Sequence, residues 1–491
     1  MPPATKAQFK NAIVLMLGQV MSAPLSFVNS LIIARALGPK DFGLLYLVGN
    51  VCNFGFLLVE WGQASTITAA VARNPNEAGE LLGSGVAWRL ASTPVIYFVM
   101  AAGAAWLHRD GTFQSTLALF TLVMLLAMLF SAFQDVLRGL DRMDFIAYGS
   151  IAQQILYLMF IGSAVLLGGG LKAVLLAQAA AMFVLMILAR FALPSNVKAR
   201  VRLETNRRLL KDGFPFLMLA LALALEPLID SLFLARLAPE ESLGWFSVAS
   251  KLIGGLTFPP NALAAAFYPT WSRLWTQDRS GFASSVSTGL RAALVLAVPM
   301  GLGCIFYPDL GVALFSRKAF GPAAVDVQVL SFFLFAFYLT QLGGTALAAA
   351  GRARAWSICQ FLCPVVSLIA DPLLVPFCQH RYGNGSLGVC LTTSLNEVFL
   401  IACFYGLCPK DVFDSRFRRT LLLAGLAGAA MCGSALVLAR LPMILGAIVS
   451  VAAYGGCLWG TGGLDGALVT SLRQSLGRRF QKQQAEPSAG G

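Results

Sequence analysis

About fourteen apolar segments of roughly twenty residues each, long enough to cross a bilayer as helices, follow one another along the chain. The first runs from Ala12 to Ala34, and the others centre near Leu57, Tyr97, Met124, Tyr157, Met182, Leu223, Gly255, Val298, Phe335, Ser367, Leu395, Leu426 and Ala452. With 57% hydrophobic and 12% charged residues, the 491-residue chain has too little polar surface for a water-soluble globule. The sequence therefore predicts an all-α polytopic membrane protein. Its first segment is too long for a signal-peptide core, so we expect it to be retained.

A stretch at the end of the first segment occurs again in the second half of the chain. Residues 29–35 read Asn-Ser-Leu-Ile-Ile-Ala-Arg, and residues 230–236 read Asp-Ser-Leu-Phe-Leu-Ala-Arg, at an offset of 201. The pattern Gly-x-x-Arg likewise follows the fourth segment at Gly139 and the tenth at Gly351, at an offset of 212. The two offsets differ by no more than a loop insertion. We therefore expect two pseudo-symmetric lobes of six helices, related by an axis along the membrane normal, and then two C-terminal helices.

The repeat and the charges set the predicted boundaries. We expect six-helix lobes at 1–193 and 213–408, a basic linker at 194–212, two extra helices at 409–465 and a basic tail at 466–491. The net charge is +13, and most Lys and Arg lie in loops on the side of the N-terminus. This asymmetry predicts that both termini are cytoplasmic. The ten cysteines lie mostly in apolar runs beside only two histidines, so no disulfide framework or metal site is expected.

Two motifs resemble those of a known family. The sequence after the first segment, Ala34-Arg35-Ala36-Leu37-Gly38-Pro39-Lys40-Asp41-Phe42-Gly43, resembles the Arg-x-Leu-Gly-Pro-x-x-Phe-Gly signature of polysaccharide transporters. These are lipid-linked oligosaccharide flippases of the multidrug/oligosaccharidyl-lipid/polysaccharide exporter superfamily. Residues 138–142 resemble the Gly-Leu-x-Arg turn of the same family. The second repeat departs from the signature, because Ala238-Pro239-Glu240-Glu241 replaces Gly-Pro-Lys-Asp.

The resemblance implies a transport function. It implies an alternating-access flippase that moves undecaprenyl-diphosphate-linked oligosaccharide of the O-antigen type from the cytoplasmic to the periplasmic leaflet of a bacterial inner membrane. A proton or sodium gradient would drive this movement during surface polysaccharide biosynthesis. Anionic lipid heads, a glycan polymerase and other assembly proteins are the further partners that we expect. No catalytic residue, cofactor or nucleic-acid partner is expected.

A diphosphate needs cations at the wall of a shielded cavity, and the candidate side chains come from polar positions within or beside the segments. The candidate substrate-binding residues are Arg35, Asn50, Lys251, Arg236, Arg89 and Arg291. Each basic candidate has an alternative interpretation. Arg35, Arg236 and Lys251 could extend their side chains to the membrane surface. Arg89 and Arg291 could be interfacial or could form an entrance for the diphosphate.

Glu226 and Asp230 are the candidate coupling-ion residues. They lie one turn apart on one face of the seventh helix, with Pro227 between them. An acidic pair at membrane depth favours a proton or sodium site, and the alternative is an interior salt bridge to Lys251 or Arg236. Glu60, near the end of the second segment, is expected to be structural.

Two other functions stay open. A cation-coupled multidrug or metabolite exporter of the same superfamily would use the acidic pair to bind cations, but the excess of candidate cations favours the flippase. A membrane-embedded glycan polymerase or ligase would need a periplasmic loop longer than the roughly twenty residues found between segments. No Walker A sequence is present that would supply an ATP-driven motor.

Overall fold

The computed structural model describes residues 3–106, 111–194, 197–316, 318–438 and 442–463. In these ranges the regular structure is helical and no strand occurs, which confirms the predicted all-α class. The predicted basic tail at 466–491 lies outside the described residues.

Sixteen α-helices follow one another in the described chain. They are α1 (Pro3–Glu60), α2 (Gln63–Arg73), α3 (Ala78–Trp106), α4 (Gly111–Gly139), α5 (Met143–Leu166), α6 (Leu171–Ala192), α7 (Leu203–Leu237), α8 (Glu240–Leu256), α9 (Phe258–Gln277), α10 (Arg279–Phe306), α11 (Pro308–Phe315), α12 (Ala323–Ala349), α13 (Ala353–Tyr382), α14 (Ser386–Leu407), α15 (Ser415–Val437) and α16 (Met443–Gly460).

Twelve described segments are long and apolar enough to cross a membrane, and the first of them, Val20–Arg73, has 54 residues. This length is about twice what one crossing needs. Gly38, at φ 74° and ψ 178°, divides it into two helices. The helices α8 and α9 adjoin at Thr257 and form one further broken helix. The result is the fourteen membrane helices that the sequence predicts.

The break in α1 follows from its sequence. Glycine adopts a positive φ without the steric penalty of a Cβ, and proline has no N–H to continue the hydrogen-bond ladder. Gly38-Pro39 therefore ends one helix and starts the next at the centre of the family-like signature. A second break follows at Trp61 and Gly62, with φ values of 53° and 69°.

The contacts divide the chain into two compact units, residues 1–244 and 245–491. The lobe boundaries proposed above follow the sequence repeat and stay a prediction. Residues 197–202 of the expected linker are extended, and 203–212 form the first turns of α7. The extended part packs on the start of α3, where Arg200 N donates to the Gly79 carbonyl (3.0 Å) and Arg202 pairs with Glu80 (3.2 Å). The linker is therefore part of the first unit rather than a free loop.

In the first unit, α7 runs antiparallel to the second half of α1 and meets it at both ends. At one end Lys40 pairs at 3.1 Å with Glu240, the first residue of α8, which follows α7 directly. At the other end the Trp61 indole donates to the Leu210 carbonyl at 3.0 Å. There Gly62 and Gly213 lie so close that a Cβ on Gly213 would overlap the Trp61 carbonyl oxygen. These contacts fix α7 and the start of α8 against α1.

In the second unit, α15 and α16 pack against α10. The Tyr454 hydroxyl donates to the Val295 carbonyl at 2.9 Å, and Tyr307 and Ser450 share a hydrogen bond of 2.8 Å. Val295, Ala427 and Met431 form a buried apolar cluster between these helices. The two helices beyond the predicted repeat are thus integrated into the second unit.

The Gly62–Gly213 contact generates a stability prediction. We expect Gly213→Ala to lower the unfolding free energy by about 1–3 kcal/mol, because the added methyl group forces α7 away from α1. Gly162→Ala is the matched control, since a Cβ added to Gly162, inside α5, would meet none of the described atoms within 4 Å. It should leave stability unchanged or raise it by up to about 1 kcal/mol. Thermal unfolding in detergent, followed by tryptophan fluorescence, measures both. Equal melting temperatures for the two variants would contradict the close approach.

Candidate functional site

A cavity of about 590 Å³ in the first unit lies between α1, α3 and α7. Its α1 wall runs from Leu47 to Leu58, a distance of about 16 Å at the rise of a helix. Val99 and Met100 of α3 and Leu232 of α7 belong to the facing walls. This volume is within the range of ordinary small-molecule sites. The cavity is therefore an elongated apolar slot.

Arg236 is the only polar side chain among the described residues that line this slot. It lies in the last turn of α7, four residues before Glu240, whose pair with Lys40 joins the start of α8 to α1. The guanidinium is therefore at one end of an otherwise apolar cavity. An elongated ligand with an anionic end and an apolar body matches this distribution of charge.

The two candidate coupling residues lie on another face of α7. Asp230 is buried and Glu226 is half-buried, one turn apart. The helix residues that line the slot include Leu228 and Leu232, each two positions from Asp230 and so about half a turn around the helix from it. The structure thus separates the acidic pair from the cavity cation, although all of them belong to α7.

Arg89 has no exposed side-chain surface and lies inside the first unit. Its guanidinium donates to Asp135 at 3.1 Å, to the Met128 carbonyl at 2.5 Å and to the Ser131 hydroxyl at 3.2 Å. Arg138 approaches the other oxygen of Asp135 at 3.5 Å. Arg89 can be buried because Asp135 of α4 lies opposite its guanidinium. A buried guanidinium is stable in a membrane protein when a carboxylate compensates its charge.

Arg291 is also buried, with 5% of its surface exposed. Its Nε donates to the Thr420 hydroxyl of α15 at 2.8 Å. It lines a small cavity in the second unit together with Arg416 and Arg419.

The remaining candidates do not line the slot. Arg35 is exposed on α1, three residues before Gly38. Asn50 is half-buried, and its side-chain nitrogen has no hydrogen-bond partner among the described residues. Lys251 is half-buried on α8, in the second unit. Glu60 accepts a hydrogen bond from Ala64 N at 3.0 Å, which supports the start of α2 and agrees with its expected structural role.

A family model described as polysaccharide biosynthesis protein matches residues 9–275, which is more than half of the chain. The chain belongs to this polysaccharide biosynthesis family. The resemblance inferred from the signature at residues 34–43 is therefore confirmed. A second family model, MatE, matches residues 215–373 of this family member. No curated protein matches the sequence significantly.

Solved structures with a similar fold include transporters and a flippase. Lipid II flippase MurJ, in an inward closed conformation, gives a TM-score of 0.69 at 12% identity, covering 94% of this chain and 99% of that one. A multidrug resistance MATE family transporter of the MOP superfamily, in an inward-facing conformation, gives 0.64 at 15% identity, covering 80% and 97%. A MOP superfamily transporter from Pyrococcus furiosus gives 0.51 at 14% identity, covering 82% and 94%. At these identities the similarity shows the fold alone, which resembles that of MATE transporters and of MurJ.

Sequence reasoning missed several buried acids of this family member. Besides Asp135, Glu397 lies at the middle of α14, where Thr340 donates to its carboxylate at 2.6 Å beside a polar cavity of about 220 Å³. Asp326 accepts hydrogen bonds from Asn384 (3.1 Å) and Ser386 (2.7 Å). An acidic residue inside an apolar segment was the signal that could have found them. In the described part of the chain, no group of three or more His, Cys, Asp or Glu residues could hold a metal.

The Arg89–Asp135 pair predicts that substitutions of its two members lower stability by unequal amounts. We expect Asp135→Leu to lower the unfolding free energy by about 3–5 kcal/mol, because it strands a fully buried guanidinium. Arg89→Met should lower the unfolding free energy by less, because Arg138 still pairs with Asp135. The double variant Arg89→Met/Asp135→Leu should recover most of the loss, as a double-mutant cycle of thermal unfolding in detergent would measure. A stable double variant that no longer binds a polyprenyl diphosphate would instead assign Arg89 to the substrate.

Proposed function

We propose that the chain is an alternating-access flippase for undecaprenyl-diphosphate-linked oligosaccharide, acting in surface polysaccharide biosynthesis. The single observation that supports this most is the apolar slot of about 590 Å³ with Arg236 at its end. A polyprenyl diphosphate combines a long apolar chain with an anionic group, and the slot offers a wall for the one and a guanidinium for the other. The glycan stays outside the apolar walls in this proposal.

The proposed orientation places both termini in the cytoplasm of a bacterium whose inner membrane holds the protein. The multi-pass helical structure supports the membrane location, and the Lys and Arg asymmetry supports the orientation. The slot end at Arg236 then faces the periplasmic leaflet, because α7 starts at the basic linker and crosses outward. A glycan polymerase or other assembly proteins would receive the flipped lipid there.

A multidrug exporter is the second candidate, and the fold and the MatE match support it equally. The charge of the slot separates the two candidates. A guanidinium at its end repels cationic drugs and attracts anionic amphiphiles, so discrimination by charge favours the flippase. An enzyme that polymerises or ligates glycans is less supported, because the slot contains no carboxylate pair among its described lining residues.

The role of Arg236 can be tested by substrate binding and flipping. We expect Arg236→Gln to weaken the binding of a fluorescent polyprenyl diphosphate about ten- to hundred-fold, because it removes one charge-assisted contact. Arg207→Gln is the matched control, since Arg207 is exposed on the same helix far from the slot. Arg236→Lys should be intermediate, because it keeps the charge but loses the planar donor group. Flipping is measured in proteoliposomes as protection of the label from a membrane-impermeant quencher.

Two outcomes would overturn the assignment. Equal affinities for Arg236→Gln and Arg207→Gln would remove the slot cation from substrate binding. Transport of a cationic dye by the wild-type protein, without flipping of the polyprenyl diphosphate, would replace the flippase by the exporter.

Ion coupling through α7 is a separate part of the proposal. If Glu226 and Asp230 take up the driving ion, Asp230→Asn should fold at normal abundance and should flip substrate at a rate that no longer responds to a proton or sodium gradient. Asp212→Asn is the control, because Asp212 is an exposed carboxylate on the same helix. Unchanged gradient dependence would move the coupling site elsewhere. Loss of folded protein would instead favour a buried salt bridge, because one partner would be left uncompensated.

A further inference from the structure

Two cysteines of the second unit, Cys359 of α13 and Cys403 of α14, meet across the interface of these helices. The Cys359 side chain is a hydrogen-bonding partner of the Cys403 thiol. Both are free thiols, and both are half-buried, so a small reagent reaches them. Neither residue belongs to the slot or to the candidate coupling pair.

The packing of α13 against α14 places the two cysteines at one level. The helices run antiparallel, because only residues 383–385 separate them. The Asn396 amide of α14 donates to the Ser367 hydroxyl of α13 at 3.2 Å. Cys359 lies eight residues before Ser367, and Cys403 lies seven after Asn396, which at the helical rise are about 12 and 10.5 Å. The levels of the two cysteines therefore differ by less than about 2 Å.

Contacts on both sides of the pair hold the two helices close together. On one side, a Cβ on Gly388 of α14 would overlap the backbone of Val375 of α13. On the other side, the Arg352 guanidinium, at the start of α13, donates to the Leu407 carbonyl at the end of α14. A disulfide needs the Cα atoms within about 7 Å of each other. Because the pair lies between two fixed contacts, a bond between its sulfurs requires little movement of the helices.

The pair lies next to the surface that faces lipid. Its neighbours Ile358, Phe361 and Tyr405 are large apolar or aromatic residues with about half or more of their surface exposed. In a membrane-spanning helix such side chains contact the hydrocarbon rather than water. An apolar oxidant dissolved in the bilayer therefore reaches these thiols more readily than a polar oxidant from the water.

We propose that Cys359 and Cys403 form a redox-sensitive dithiol that lipid hydroperoxides oxidise to a disulfide. The thiolate of one cysteine attacks the terminal oxygen of the hydroperoxide, and the O–O bond breaks to give a sulfenic acid and an alcohol. The second thiol attacks the sulfenic sulfur, so the S–S bond forms as the S–O bond breaks and water leaves. Two thiols and one hydroperoxide thus give one disulfide, one alcohol and one water, and two electrons pass from sulfur to oxygen.

The bond would brace the wall of the polar cavity of about 220 Å³ beside Glu397. Gln360, next to Cys359, and Leu400, one turn before Cys403, both line that cavity. A covalent link here keeps α13 and α14 from separating at the cavity. The proposal does not rest on the proposed flippase function, because an exporter with these residues would form the same bond.

The test uses the full chain in proteoliposomes, first reduced and then freed of the reductant. Cumene hydroperoxide serves as the apolar oxidant, and peptide mapping by mass spectrometry without reductant identifies the bonds. We expect the peptide that joins Cys359 to Cys403 to be the main bridged product. Hydrogen peroxide at the same concentration should form this bond more slowly, because it stays mostly in the water. An equal or faster rate with hydrogen peroxide would overturn the lipid hydroperoxide as the oxidant.

A second pair of half-buried thiols, Cys432 of α15 and Cys457 of α16, is the matched control. There the Ser434 hydroxyl donates to Ser450 at 3.2 Å, which sets the register of these two helices. Cys432 lies two residues before Ser434 and Cys457 seven after Ser450, so their levels differ by about 7.5 Å. Their bond should form at least about ten-fold more slowly, because this offset exceeds the reach of a disulfide. Equal rates for the two pairs would overturn the proposed site.

Variants identify the partners and the effect of the bond. Cys359→Ser should abolish the bridged peptide, whereas Cys408→Ser, which changes another thiol at the end of α14, should keep it. A bond from Cys359 to Cys408 in place of Cys403 would overturn the assigned pair. Oxidation should raise the melting temperature of the wild type and leave that of Cys359→Ser unchanged, since the bond restricts the unfolded chain. A bridged protein with no such rise would overturn the bracing role. The peptide mapping of the wild type needs no substitution, so it decides the proposal even if a variant does not fold.

Discussion

A charged or polar group in the hydrocarbon of a bilayer costs free energy unless the protein supplies its partner, and the rest of this structure depends on that constraint. Arg89 is buried on α3 because Asp135 lies opposite on α4. Glu397, at the middle of α14, accepts the Thr340 hydroxyl, and Asp326 accepts from both Asn384 and Ser386. Each of these contacts joins two helices, so the polar groups determine which helices pack together as well as where the charges lie.

The same constraint governs the breaks in the helices. Backbone groups that leave the helical ladder inside a membrane protein need cover from neighbouring segments. The turn at Trp61 and Gly62 is covered by α7, where Gly213 allows the backbones to touch and the indole of Trp61 bonds to Leu210. The turn at Gly38-Pro39 adjoins Gly244 and the Lys40–Glu240 pair. The first of these contacts joins α1 to α7 and the second joins α1 to the start of α8, and the apolar slot lies between them.

The cavities differ in the charged side chains that line them, and so they suit different ligands. The slot of the first unit has one guanidinium at the end of an apolar wall, which suits an amphiphile that passes through. The small cavity of the second unit is lined by three arginines, Arg291, Arg416 and Arg419. The polar cavity beside Glu397 has a carboxylate and no guanidinium among its described lining residues. The three cavities therefore differ in the charge of the side chains that line them.

By itself, the sequence determined the membrane class, the number of helices and the family, because segment length, hydropathy and a short signature are local properties of the chain. It also identified Arg236 as a candidate and placed Glu226 and Asp230 on one face of α7. Only the tertiary structure decided that Arg89 is one half of a buried ion pair and that Arg291 joins Arg416 and Arg419. Arg89 and Asp135 are 46 residues apart in the sequence, and Arg291 lies more than 120 residues before the α15 residues that it joins. No sequence spacing relates such distant residues. Helix packing brings such residues together, and the charge of a site depends on which side chains the packing places in the same cavity.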